Sequence, residues 1–191
     1  MTWLLSSAAW GADGPAAKKE ALVDKQLVQL GLAVVAAALS LCAHAGDLPD
    51  RALTPGAINP DVTQDNIHNT VCVKGWTKTV RPPAFYTNRL KKSQIREYGY
   101  GNSSPRDYEE DHLIPLSVGG HPTDPRNLWP QPRNSEWNAD RKDDLEFALY
   151  KGLCHGEVTL EEARRAFASN WIAAYRHYGA LLQHYRHGQA D

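Results

Sequence analysis

Hydrophobic positions fall into three patterns along the chain. From Leu30 to Leu41 they are almost uninterrupted. From Thr70 to Val80, in TVCVKGWTKTV, β-branched residues alternate in part with polar ones, which predicts one or two short strands. Arg81-Pro82-Pro83 breaks that pattern. The stretch TNRLKKSQIREYG reads as a short helix with Thr87 or Ser93 as N-cap, ending at Gly99 or Gly101. A polar loop over 101–108 leads to a strand in DHLIPL, 111–116. The loop SVGGHPTDPR follows, punctuated by Gly119-Gly120 and Asp124-Pro125, and then a second strand in NLWPQ, 127–131. A helix is predicted from Ser135 to Lys151, stopped by Gly152. The last helix starts at Thr159, where TLEE forms a capping box with Glu162. Leu160, Ala163, Phe167, Trp171, Tyr175, Tyr178, Leu182 and Tyr185 then recur at steps of three and four, one long amphipathic helix. There are no internal repeats, and the pattern is that of one α+β domain.

The uninterrupted run has a different meaning. A dozen apolar residues are short for a spanning helix, which needs about 20. The run follows Lys25 and ends in Ala43-His44-Ala45, a small-x-small site. Residues 1–45 therefore read as a secretory signal peptide cut after Ala45. Leu41 is too large to precede a lipidated Cys42. Residues 1–22, with Trp3, Trp10, Asp13 and Glu20, fit a signal poorly, so translation is expected to begin near Val23. The exported protein would be periplasmic or extracellular, with a flexible leader over 46–66, rich in Pro, Asp, Asn and Gly, and a domain over 67–191. Two of the three cysteines, Cys72 and Cys154, remain after processing, and an even pair in an oxidising compartment predicts one disulfide.

Residues 110–146 carry the candidate chemistry. EDHLIPLSVGG is followed by Asn127-Leu128-Trp129, with Asn127 ten residues after Ser117, and then by a helix holding Asn138, Arg141 and Lys142. This constellation resembles the HNH nuclease motif, the ββα-metal finger, in which a strand ends in Asp-His or His-His, a Gly-containing loop follows, Asn-Leu opens the second strand and a helix supplies a final His or Asn. The flanks VCVKGWTKTVRPP and LEEARRAFASNWIAAY are similar to those of small exported bacterial HNH proteins. The resemblance implies a ββα-metal finger embedded in a small helical domain, with motif core 110–146. It implies an endonuclease that hydrolyses phosphodiester bonds, with His112 as general base, Asp111 as metal ligand and Asn127 bracing the hairpin to orient His112.

The residue types suit that chemistry. An imidazole titrates near neutrality and can deprotonate water; a carboxylate suits a hard divalent ion, most simply Mg²⁺. For the second ligand the helix offers Asn134, Asn138, Asp140 and Asp144. At about 100° per residue, Asn138 projects within roughly 20° of Leu145 on the inward face, and Asp140 lies about 200° from Asn138 and faces solvent. Asn138 is the expected ligand, and Arg141 and Lys142, one turn on, are placed to hold phosphate oxygens. His121, His177, His184 and His187 read as surface residues, Trp129 and Trp137 as packing residues, and Glu109 and Glu110 as solvated.

Charge adds a substrate argument. The formal net charge is −1, so no global positive charge points to nucleic acid. Between Asn66 and Arg96, however, Lys74, Lys78, Arg81, Arg89, Lys91, Lys92 and Arg96 occur with no acidic residue and with Trp76 and Tyr86 interleaved. Such a local basic face, Lys91 and Lys92 at its centre, suits a phosphate backbone. No recognition-helix pattern accompanies it, so the expected partner is DNA ahead of RNA, bound with low sequence specificity. The alternative is a catalytically silent exported protein that uses the same hairpin scaffold to bind nucleic acid or an envelope partner.

Overall fold

The two strands and the loop between them set the centre of the computed structural model, which describes residues 46–101 and 104–187. The expected signal peptide, with Cys42 and the start near Val23, lies outside the described residues. Strand β1 (Tyr108–His112) pairs antiparallel with β2 (Leu128–Pro132), Tyr108 opposite Pro132 and His112 opposite Leu128. β1 thus begins and ends earlier than the predicted 111–116. The reason is local: the Ile114 N–H is taken by the Asn127 side chain, Pro115 has no N–H to pair, and Leu116–Val118 closes into a 3₁₀ turn.

The segment Thr70–Val80 corrects the predicted strands. Its backbone closes on itself, Val73 N–H to Thr70 and Trp76 N–H to Val73, and Gly75 takes a left-handed conformation (φ 87°) that starts helix α1 (Trp76–Val80). Its β-branched residues have no neighbouring strand; among the described residues the sheet has only β1 and β2. Helix α2 (Ala84–Glu97) lies where a helix is expected but starts three residues earlier, with Pro83 at its N-cap in place of Thr87 or Ser93 because the proline ring presets the first turn. It grips the hairpin through buried Gln94, whose amide donates to the Leu128 carbonyl at 2.8 Å and the Pro125 carbonyl at 3.2 Å.

Helix α3 (Ala139–Cys154) begins four residues later than expected, with Asn138 as its N-cap. Helix α4 (Leu160–His177) starts at the predicted capping box of Thr159 and Glu162. The expected long C-terminal helix is interrupted twice. Asn170 leaves the helical conformation (φ −163°, ψ 94°), and its side chain caps the second half by accepting from Ala173 N–H at 2.9 Å. Tyr178 then separates α4 from helix α5 (Gly179–His187). The period of three and four survives because each piece packs inward: Phe167 and Trp171 join the main core, and Leu182 and Tyr185 pack with Ala148 of α3.

Residues 46–66 are bound to the domain, which corrects the picture of a separate leader. Gly56 N–H donates to Arg126, Asn59 N–H to Gly119, and the Ala57 carbonyl accepts from His121 N–H. Thr54 and Val62 are buried. Arg164 of α4 fastens this segment to the hairpin loop, its guanidinium donating to the carbonyls of Val62, Val118 and Gly119 at 2.9–3.1 Å. The core under these elements joins Val62, Ile67, Leu113, Val118, Trp129, Leu145, Leu149, Leu153, Phe167 and Trp171, each large apolar side chain contributing about 1.5–3 kcal/mol by its burial. A disulfide joins Cys72 to Cys154 at a Cα separation of 5.6 Å, closing 82 residues of chain onto the end of α3. In the chain-entropy treatment that closure stabilises by about 4–5 kcal/mol. Among the described residues no helix is long and apolar enough to cross a membrane.

Candidate active site

The loop from Leu113 to Asn127 folds back under the end of β1 because one side chain holds its two ends. Asn127, fully buried, accepts from Ile114 N–H at 3.0 Å and donates to the carbonyls of Ile114 at 2.9 Å and His121 at 3.0 Å. Gly120 makes the closure possible: a Cβ there would run into the Ile114 carbonyl that Asn127 is holding. His121 adds a second clasp, its Nδ1 accepting from Asp124 N–H at 2.9 Å.

This closed loop presents the Pro122 carbonyl to His112. Nε2 of His112 lies 2.9 Å from that oxygen. A carbonyl only accepts, so Nε2 carries the proton and Nδ1 keeps its lone pair. His112 is 4% exposed, and burial, the largest influence, pulls its pKa below the ordinary histidine value. The Pro122 hydrogen bond and Asp111 oppose that shift; Arg81 and Lys142 add to it. The ring is therefore neutral at physiological pH, the state a proton acceptor requires.

Asp111, the neighbour of His112, faces α3. Its Oδ2 lies 2.6 Å from Nζ of Lys142. Lys142 is fully buried, with its ammonium 5.2 Å above the Phe167 ring. This corrects the expectation of a phosphate contact at Lys142: three residues before Leu145, it projects within roughly 60° of that inward-facing side chain, and its ammonium is buried against Asp111. Two carboxylates on the same side of α3 complete the cluster. Glu146, one turn after Lys142, accepts from the Ser117 hydroxyl at 2.7 Å and is held above the ordinary carboxylate range, first by burial and then by Asp111. The carboxyl of Asp143, a residue at the exposed rim, is pushed up to about 7 by partial burial, Asp111 and Glu146, against Lys142. Glu110, expected to be solvated, is instead raised to about 8, mainly by burial, and neither of its oxygens has a hydrogen-bond partner among the described residues.

The other predicted site residues are placed as follows. Asn138 accepts from Arg141 N–H at 3.1 Å, so its oxygen serves first as the cap of α3. Asp140 is exposed, as expected, and Asp144 pairs with Arg186. Arg141 is exposed, its guanidinium 5.0 Å over the Trp137 ring. Lys91 donates to the Tyr108 carbonyl at 3.0 Å, and Lys92 is exposed. The cluster of Lys142, Asp143 and Glu146 around Asp111 was missed by sequence reasoning. Its signal was the spacing of these residues beside inward-facing Leu145.

No family model, curated protein or solved structure matches this chain. The chemistry of the site thus rests on its own residues. Their fit to a divalent ion is a matter of donor type: Asp111, Asp143 and Glu146 offer hard oxygens, and Asp111 Oδ2 is buried without a well-aligned hydrogen bond. Among the described residues no three acidic, histidine or cysteine side chains converge on one point as a ready cage. The set thus offers hard donors without a formed cage, and its central oxygen, Asp111 Oδ2, is shared with the Lys142 ammonium.

Proposed function

We propose that this protein is an HNH-type endonuclease that hydrolyses phosphodiester bonds in nucleic acid, DNA ahead of RNA, with low sequence specificity, and that the hairpin with α3 is a ββα-metal finger. The observation that carries this reading is His112: a buried neutral imidazole at the end of β1, fixed through Nε2 by the Pro122 carbonyl and adjacent to a carboxylate cluster. Nδ1 of His112 takes a proton from water as the water oxygen attacks phosphorus. The phosphorus–oxygen bond to the leaving sugar breaks, and that oxygen takes its proton from solvent. Asp111, with Asp143 and Glu146 in support, would hold Mg²⁺. Such an ion supplies positive charge for the phosphate and the leaving oxygen. Arg81, exposed and electrostatically coupled to both His112 and Glu146, supplies further positive potential at the mouth. The disulfide and the export signal expected from the sequence agree with action outside the cytoplasm.

A second reading has its own support. Lys142 already neutralises Asp111, as it would in a silent nucleic-acid-binding scaffold. Nicking of supercoiled plasmid by the purified protein separates the two. The nuclease reading expects relaxation in Mg²⁺ that stops in EDTA; the scaffold reading expects DNA binding that EDTA leaves intact and no nicks in any divalent ion.

A further inference from the structure

Away from His112, at the opposite end of the hairpin, lies an open cleft of about 500 Å³ lined by Asn88, Lys91, Lys92, Arg106, Tyr108 and Arg133, with Pro105 at its edge. Its walls come from α2, the turn before β1 and the residue after β2. Four of the lining residues are cationic and none is a carboxylate. Lys91 and Arg133 have protein partners: Lys91 donates to the Tyr108 carbonyl, and Arg133 pairs with Glu109 at 2.9 Å. Lys92 and Arg106 are exposed and make no ion pair or side-chain hydrogen bond among the described residues. An amide, Asn88, stands beside them. Two unengaged cations beside an amide donor, with two more cations behind them, match the oxygens of a phosphate.

We infer that this cleft is a remote phosphate subsite, which grips the nucleic-acid strand at a distance from the bond being cut. The inference rests on the nuclease reading for its substrate class. Tyr108, at the cleft, and His112 are four residues apart in one strand, roughly 13 Å at about 3.3 Å per residue. A strand of duplex DNA carries one phosphate per roughly 3.4 Å of axis and winds about that axis as it rises, so a span of this size reaches a phosphate only a few nucleotides from the reacting one. The substrate it selects is a polynucleotide rather than a mononucleotide or a simple phosphodiester. Its grip makes no base contact, in keeping with low sequence specificity.

The test is duplex DNA binding in EDTA, read across a salt series, for wild-type protein, Lys92→Glu/Arg106→Glu and the milder Lys92→Gln/Arg106→Gln. A control carries the same two charge reversals on other faces, Lys151→Glu/Arg165→Glu. All the reversed side chains lie at or near the surface, and circular dichroism checks the fold. The cleft variants should weaken binding and flatten the log–log salt dependence by about 1.8, two contacts at about 0.9 each. The glutamine pair should flatten it as much while losing less affinity, and the control should keep the wild-type slope. Equal slopes for wild type and the cleft variants, or an equal loss in the control, would overturn the subsite. Plasmid nicking by wild type, measured in parallel, judges the nuclease reading separately: a flattened slope without nicking keeps the subsite and removes the nuclease.

Discussion

At the residue scale, the fate of Lys142 shows what holds the site together. A lysine on a helix reads as solvated, and sequence alone gives it a surface role. Its partner Asp111 is thirty-one positions earlier, on another element, and no local pattern announces such a pair. His112, Asp111 and Asn127 were legible because they are crowded into a short motif; Glu146 and Asp143 were not, because they matter only once α3 is laid against β1. The pair predicts an asymmetry between substitutions. Asp111→Ala leaves a fully buried ammonium without its nearest counter-charge and should cost about 3 kcal/mol or more in urea unfolding. Lys142→Met on that background removes the stranded charge and should recover most of the loss, a coupling a double-mutant cycle reads directly. Asp140→Ala, on the exposed side of α3, should stay within about 0.5 kcal/mol of wild type. Additive costs for the two site substitutions would show that the pair is not the buried contact described.

At the scale of elements, the hairpin loop is the device that turns a strand end into a site. Gly119-Gly120 is visible in the sequence as turn punctuation, but the two glycines serve different ends. Gly119 needs its left-handed φ of 75°, whereas Gly120 must let the backbone lie against the Ile114 carbonyl. Gly120→Ala should therefore open the loop, release Asn127 and shift the Pro122 carbonyl away from His112. The expected loss is about 2–4 kcal/mol in stability, with the His112 ring resonance moving in NMR; an unchanged melting point would contradict the close approach. The strand boundaries, the break at Asn170 and the helix at Trp76–Val80 escaped the sequence for a common reason. Each depends on which backbone groups find partners, and periodicity records only which side chains are apolar.

At the scale of the whole molecule, the carboxyls with raised pKa make stability depend on pH. Glu110, raised to about 8, and Asp143, raised to about 7, keep protons in the folded state that the unfolded chain releases near pH 4. The folded state therefore binds more protons between about pH 4 and 8, and stability falls as pH rises through that range. His112 acts oppositely: its lowered pKa costs stability as pH falls below about 6.5, where the unfolded histidine takes a proton. In metal-free buffer the urea midpoint should therefore be higher at pH 6.5 than at pH 8.5, and Glu110→Gln should reduce the difference. A midpoint that climbs towards pH 8.5 would mean these carboxyls are ionised and paired.

The α+β class and the motif that organises the centre were readable in the chain, because apolar spacing and a dense polar motif are local facts. The docking of residues 46–66 was not, because its hydrogen bonds run to a loop some sixty residues away. The proposed nuclease activity depends on His112 as the base that activates water. The most direct measurement is the initial rate of supercoiled-plasmid nicking in Mg²⁺ by wild type and His112→Ala, at equal protein concentration and with DNA binding checked in EDTA. The account predicts a rate lower by about 10²–10⁴-fold with binding retained; a His112→Ala protein that nicks at the wild-type rate would contradict it.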